Sequence, residues 1–138
     1  MFLNKFICLL CAFTGKNSYF CDKLQNCVKM AKSDSVIIIP TYNEKENIEK
    51  MIRTLMALEH SFDILVVDDG SPDGTAAIVK RMQVEFPERV FIIERSGKLG
   101  LGTAYIAGFK WALERGYDEI FEMDCDFSHN PDDLLRLA

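Results

Sequence analysis

From Ser35 onward the hydrophobic pattern switches repeatedly between two periods, and this alternation restricts the fold more than any single residue does. The stretch SVIIIP, 35–40, is a continuous apolar run rich in β-branched residues, as expected of a strand buried on both faces and stopped by Pro40. The next segment, 44–58, changes to helical spacing, with Ile48, Ile52, Leu55 and Met56 on one stripe. FDILVVDDG, 62–70, returns to a buried-strand pattern. A second helix is expected over 71–86, with Asp73 as its N-cap and Ile78, Met82 and Phe86 as its stripe. RVFIIER forms a third strand, and 101–116 a third helix closed by Gly116. DEIFEMD, 118–124, is a fourth strand, after which Asn130 and Pro131 open another helix. Strand-helix alternation of this kind predicts an α/β fold: a Rossmann-like parallel sheet with helices on both faces.

In such sheets ligands bind beyond the carboxyl ends of the strands. Here those ends read PTYNE, VDDGSPDG, ERSGKLGLG and MDCDFSHN, each of them polar, acidic or rich in glycine. Their convergence is the main sequence argument for a site. Asp124 and Asp126 stand at i and i+2, where extended chain puts both side chains on one side. Two like charges there suit a hard divalent cation, Mg²⁺ or Mn²⁺, which takes oxygen ligands and can itself hold a diphosphate. A solvated loop whose acids only cap the next helix is the plainer explanation of the same residues. Asp68 and Asp69 end the second strand, where a carboxylate can accept hydrogen bonds from a nucleobase or a ribose hydroxyl. Tyr42 is suited to stack on a base and Glu44 to accept a hydrogen bond, although Asn43 and Glu44 also suit a helix start. Gly97, Gly100 and Gly102 allow close backbone approach to a phosphate, with Arg95 and Lys98 supplying positive charge.

Two rival folds fit less well. Gly100-x-Gly102 at a helix start imitates a dinucleotide fingerprint, but Tyr105 occupies the position where close packing wants glycine or alanine. In a phosphoacceptor receiver domain the acidic pair would follow the first strand and a lone aspartate the third, and neither holds. Bulk properties narrow the class further. The 138 residues are enough for one domain with a core that needs no disulfide, and the net charge of -5 argues against nucleic-acid binding. Four of the five cysteines (Cys8, Cys11, Cys21, Cys27) fall in the first 27 residues without metal-ligand spacing, and Cys125 alone lies in the core region. That usage reads as a reducing compartment. Residues 1–34 are expected to be an N-terminal extension, poorly ordered or upstream of a start at Met30, with the domain occupying 35–138. Their apolar run is far short of the ~20 residues of a membrane span.

Taken together and in order, IIIPTYNEKENI, VVDDGSPDGT, KLGLGTAYIAGFKWAL and MDCDFSHNP resemble the family 2 glycosyltransferases, in particular the dolichol- and polyprenol-phosphate mannosyltransferases. The resemblance covers 35–138 and implies a nucleotide-diphosphosugar transferase fold, present here as its N-terminal part only. It implies inverting, metal-dependent transfer of mannose from GDP-mannose to dolichyl or polyprenyl phosphate. It places Pro40, Tyr42 and Glu44 around the nucleotide, and Val67 and Asp69 at its guanosine part. Asp124 and Asp126 would hold the metal, with Ser128 near it and Cys125 beside the nucleotide. Cys125 departs from the family's usual alanine; as a slightly larger small hydrophobe it is expected to be tolerated, although a soft thiol there could invite other metals or oxidation. A lipid phosphate is already ionised near neutral pH, so such a reaction needs no protein base to activate its nucleophile. The resemblance also implies a cytoplasmic chain at the cytosolic face of a membrane, held there peripherally or by a membrane partner subunit. The family domain continues past the metal motif, so the fourth strand is expected to lack a neighbour. Two alternatives stay open: another nucleotide sugar as donor, or an inactive nucleotide-sugar-binding module.

Overall fold

The computed structural model describes residues 33–138; the expectations for the N-terminal extension and its cysteines lie outside these residues. Four parallel strands form one sheet: β1 (Ser35–Thr41), β2 (Phe62–Asp68), β3 (Val90–Glu94) and β4 (Glu119–Glu122), in the spatial order β3-β2-β1-β4. Between them run α1 (Ile48–Met56), α2 (Thr75–Glu85) and α3 (Leu101–Glu114), and a 3-10 turn at Pro131–Asp133 leads into α4 (Leu134–Leu137). The alternation read from the sequence is therefore the observed architecture. Every residue of β2 is buried, as its unbroken apolar run requires.

Alternate residues of the central strands feed two apolar clusters. Ile37, Ile39, Ile64 and Val66 pack with Ile48, Met51, Ile52 and Leu55 of α1 and Val79 and Met82 of α2. Val36, Ile38, Leu65 and Val67 pack on the other face with Ala104 and Ala112 of α3 and with Tyr117. The second helix turns Met82 inward as expected, whereas Ile78 and Phe86 are only half-buried and Thr75 and Val79 complete the fully buried stripe. On α3 the buried face consists of Ala104, Gly108 and Ala112, a stripe of small residues four apart. A Cβ built on Gly108 would lie 2.7 Å from Ile38 Cγ2 and 2.8 Å from Ile38 Cδ1. The missing methyl is what lets α3 lie directly on β1.

Three local expectations are corrected. Pro40 does not stop β1, which continues through it to Thr41. Met123 donates its N–H to Ile38 O, so the polar groups of Ile38, and two residues on of Pro40, face β4. The β4 pairing ends at Ile38↔Glu122, so no partner waits there for the N–H that proline lacks. Asn43 does not cap α1: it has φ 59° and the helix begins later, at Ile48, after a turn. The N-cap of α2 is Gly74, at φ 92°, although Asp73 still accepts from Thr75 N–H at 3.0 Å. Two expected signals hold, with Gly116 at φ 72° closing α3 and Asn130 accepting from Asp132 N–H at 3.1 Å.

Strand order runs β1, β2, β3 to one side and β4 to the other, so the connections reverse direction between β1 and β4. The crevice at such a reversal, beyond the carboxyl ends, is where open α/β sheets hold ligands.

Candidate donor-binding site

Four loops leave the carboxyl ends of the strands, and hydrogen bonds tie the first three together. Asp68, buried at the end of β2, accepts from Thr41 Oγ1 at 2.8 Å, Ser71 Oγ at 2.6 Å and Ser71 N–H at 2.9 Å. It is thus committed to holding the loop rather than offered to a ligand. Asp73 does the same for the first loop, accepting from Lys45 N–H at 3.1 Å and from Thr75 Oγ1 at 2.6 Å. Burial works to raise the Asp73 pKa, but the Thr75 hydroxyl and the N–H groups of Lys45 and Thr75 outweigh it and hold it below the usual range. Gly70, at φ 68°, brings this turn against the next loop: a Cβ there would lie 3.3 Å from Arg95 O.

Asp69 is the acid that faces the open side. Pro40, Thr41, Tyr42, Asp69, Lys98, Leu101 and Ala104 line a cleft of about 110 Å³. Tyr42 forms one exposed wall, and Lys98 Nζ rests 4.9 Å from its ring centroid. Four of the residues named from sequence, Pro40, Tyr42, Asp69 and Lys98, are thereby brought into one cleft. Thr41, Leu101 and Ala104 were missed, because nothing in a small or apolar side chain marks it as lining a site. Arg95 was expected to meet phosphate. Instead its guanidinium grips both oxygens of Asp69, Nε to Oδ1 at 2.6 Å and Nη2 to Oδ2 at 2.7 Å, and donates to Thr103 Oγ1 at 2.8 Å. Both side chains are about nine-tenths buried. Arg95 therefore fixes the cleft's carboxylate and braces it against the start of α3.

Other named residues lie apart from this cleft. Val67 is wholly buried among the residues under α3, leaving only its main chain to face a ligand. Glu44 lines a neighbouring polar hollow with Asn43, Asn47 and Asp73, and its Oε2 accepts from Asn47 Nδ2 at 3.1 Å.

The fourth loop carries Asp124 and Asp126. Strand β4 ends at Glu122 and a turn begins at Cys125, so the extended-chain reason for pairing the two aspartates does not apply. Each is instead held by its own device. Asp126 is exposed and accepts from Ser128 N–H at 2.9 Å; the Ser128 hydroxyl and that amide hold its carboxyl below the usual range. Asp124 is half-buried and its Oδ1 accepts from Tyr105 Oη, on α3, at 3.0 Å. Burial first, and then Asp124, push the Tyr105 phenol upward from its ordinary value, so it stays a donor. Phe127, at φ 59°, turns back to pack against the cluster under α1 and anchors the loop, with Lys50 Nζ 5.0 Å from its ring centroid. Ser128 is exposed, its Oγ 3.3 Å from His129 Nδ1.

Cys125 is 3% exposed and packs in the same cluster as Met123 and Leu134. Desolvation, aided by Glu44 and Asp126, pushes its thiol up to about 12, so little of it is thiolate, the form oxidants attack, near neutral pH. What remains at the loop are carboxylate and hydroxyl oxygens. Among the described residues no three His, Cys, Asp or Glu side chains gather as a closed metal cage. Two carboxylates without a cage fit the way Mg²⁺ and Mn²⁺ are shared between a protein and a substrate phosphate.

Comparison with known proteins agrees with the fold. Residues 36–138 match the family model described as glycosyl transferase family 2. The chain is 48% identical over 103 residues to a polyprenol monophosphomannose synthase from Mycolicibacterium smegmatis, covering 75% of this chain and 39% of that protein. It is 51% identical over 100 residues to an undecaprenyl-phosphate mannosyltransferase from Micrococcus luteus, covering 72% of this chain and 41% of the relative. The matched part thus spans about two fifths of these relatives. A solved mannosyltransferase from Pyrobaculum calidifontis, in complex with GDP-Man and Mn²⁺, aligns with a TM-score of 0.54 at 26% identity, over 57% of this chain and 24% of that one.

Proposed function

Since the chain belongs to glycosyl transferase family 2, we propose that it forms the donor half of a mannosyltransferase acting on GDP-mannose and a polyprenyl or dolichyl phosphate. The observation that carries the reading is that residues from the ends of β1 and β2 and from the loop after β3, far apart in sequence, line one cleft beside α3, the helix whose Tyr105 meets Asp124. The names of the two curated relatives supply the sugar and the lipid phosphate, and the solved neighbour supplies the nucleotide and the metal.

In this reading Tyr42 and Lys98 flank the base in the cleft, and Asp69, fixed by Arg95, accepts its N–H groups. Main-chain N–H groups at the start of α3, past Gly100, face the phosphates. Asp124 and Asp126, with Ser128 beside them, would hold Mg²⁺ or Mn²⁺. Such an ion, when bound, neutralises charge growing on the diphosphate leaving group. The acceptor phosphate attacks the sugar carbon from the face opposite the diphosphate, so the configuration inverts. Orientation and charge stabilisation supply the catalysis, which accounts for a site built of acids and amides with no Ser-His or Cys-His pair in the cleft. No helix among the described residues is long and apolar enough to cross a membrane. Contact with the cytosolic face of a membrane, peripheral or through a membrane partner subunit, belongs to this reading as the way a lipid phosphate is reached.

Calorimetric titration of the chain with GDP-mannose, with and without Mn²⁺, tests the proposal beside an Asp124→Ala/Asp126→Ala variant. Metal-dependent binding that disappears in the variant is expected. A folded chain that binds no GDP-mannose under either condition would refute it.

A further inference from the structure

Resting on this donor-site reading, we infer that Tyr105 is a positioning residue for Asp124, fixing the rotamer of the carboxylate through its hydroxyl. The hydrogen bond from Tyr105 Oη to Asp124 Oδ1 measures 3.0 Å and joins residues 19 apart in sequence. It is the one side-chain hydrogen bond Asp124 makes among the described residues, and it engages one oxygen, leaving Oδ2 for a ligand. Asp126, by contrast, is held within its own loop through the Ser128 N–H. The two aspartates therefore answer to different elements, Asp126 to the local turn and Asp124 to α3.

The helix has reason to be in that place. Ala104, immediately before Tyr105, lines the cleft, and Gly108, one turn on, sits against Ile38 of β1. The small stripe seats α3 on the sheet, and that seating carries the Tyr105 hydroxyl to the end of β4. Buried Met123 and Cys125 fix the main chain on either side of Asp124, but the carboxylate itself is only half-buried. The hydrogen bond from a packed helix supplies the constraint on its side chain. Partners that orient a ligating side chain typically change metal affinity about 10–100-fold when removed.

The test uses the full chain and Mn²⁺, followed by the resonance signal of the free ion in the presence of saturating GDP. Tyr105→Phe removes a single oxygen and keeps the ring. It is expected to weaken Mn²⁺ binding about tenfold, while Tm and GDP affinity in EDTA stay as in the parent. In an Asp124→Asn background the same substitution is expected to change nothing further. Unaltered Mn²⁺ affinity in Tyr105→Phe would overturn the inference while leaving the donor site standing. So would a Tm that falls with the affinity, which would make the bond structural, or an undiminished second loss in the Asp124→Asn background. A parent chain that takes up no Mn²⁺ with GDP would remove the donor-site reading itself, and the inference with it.

Discussion

Gly108→Ala isolates the packing of α3 on the sheet. In an ordinary helix interior the change stabilises by about 0.8–1 kcal/mol, because alanine has less backbone freedom to lose. At this position the new methyl would stand 2.7 Å from Ile38 Cγ2 and 2.8 Å from Cδ1. Ile38 is wholly buried, and its branched Cγ2 has no free rotation by which to retreat. Forcing a methylene into such a core costs about 1–3 kcal/mol. Weighed against the propensity gain, the expected net effect is a loss of about 1 kcal/mol, or a fall in Tm of about 4–8 °C for a domain of this size. Urea unfolding followed by circular dichroism would measure it. The same substitution in an Ile38→Ala background should recover the propensity gain and stabilise, since the obstructing atoms are gone. A stabilised Gly108→Ala single variant would refute the account of how α3 is seated.

Two further outcomes concern the buried charges. Asp63, wholly buried, accepts from Tyr117 Oη at 2.7 Å and Arg89 Nε at 2.9 Å, yet desolvation still leaves its carboxyl pKa raised. A raised folded-state value means that the stability Asp63 contributes is full below its unfolded pKa of about 4 and is lost as pH rises through the folded value. Tyr117→Phe removes a donor and raises that value further, so its cost in chemical unfolding should be small near pH 4 and widen to about 1–3 kcal/mol by pH 7; a cost independent of pH would contradict this. Arg95→Met strands the Asp69 carboxylate in its buried setting and should cost about 3–5 kcal/mol in the same assay. Adding Asp69→Asn should return part of that loss, and no recovery would mean that the pair is not coupled.

The layers of this fold were legible because they rest on periodicity, which a single chain displays openly. Val36 to Ile39 and Phe62 to Val67 could belong to little else than strands buried on both faces. Three features were not legible, each for a definite reason. Pro40 looked like a terminator because the sequence does not say that β4 ends two residues short of it, leaving nothing for its nitrogen to lack. Arg95 looked like a phosphate ligand because sequence shows a charge without its partner, and Asp69 lies 26 residues away. Ala104, Gly108 and Ala112 were silent because small residues barely register in a hydropathy pattern, although their smallness positions the helix. Tyr105 was noticed only for what it ruled out. Of the site, the cleft residues Tyr42, Asp69 and Lys98 were visible as chemistry at strand ends, while the hydrogen bonds that aim them arise only when the chain is folded.

The proline in β1 has a consequence for how such a crevice withstands sequence drift. A gap between two neighbouring strands is normally one substitution away from closing, because any change that lengthens one strand adds a rung to the ladder. Here Pro40 has no N–H to donate to the rung beyond Ile38, which leaves only its C=O available to residues past Glu122. Any extension of the β1–β4 ladder is thus short of one donor on β1, a deficit built into a covalent ring rather than into repulsion or bulk.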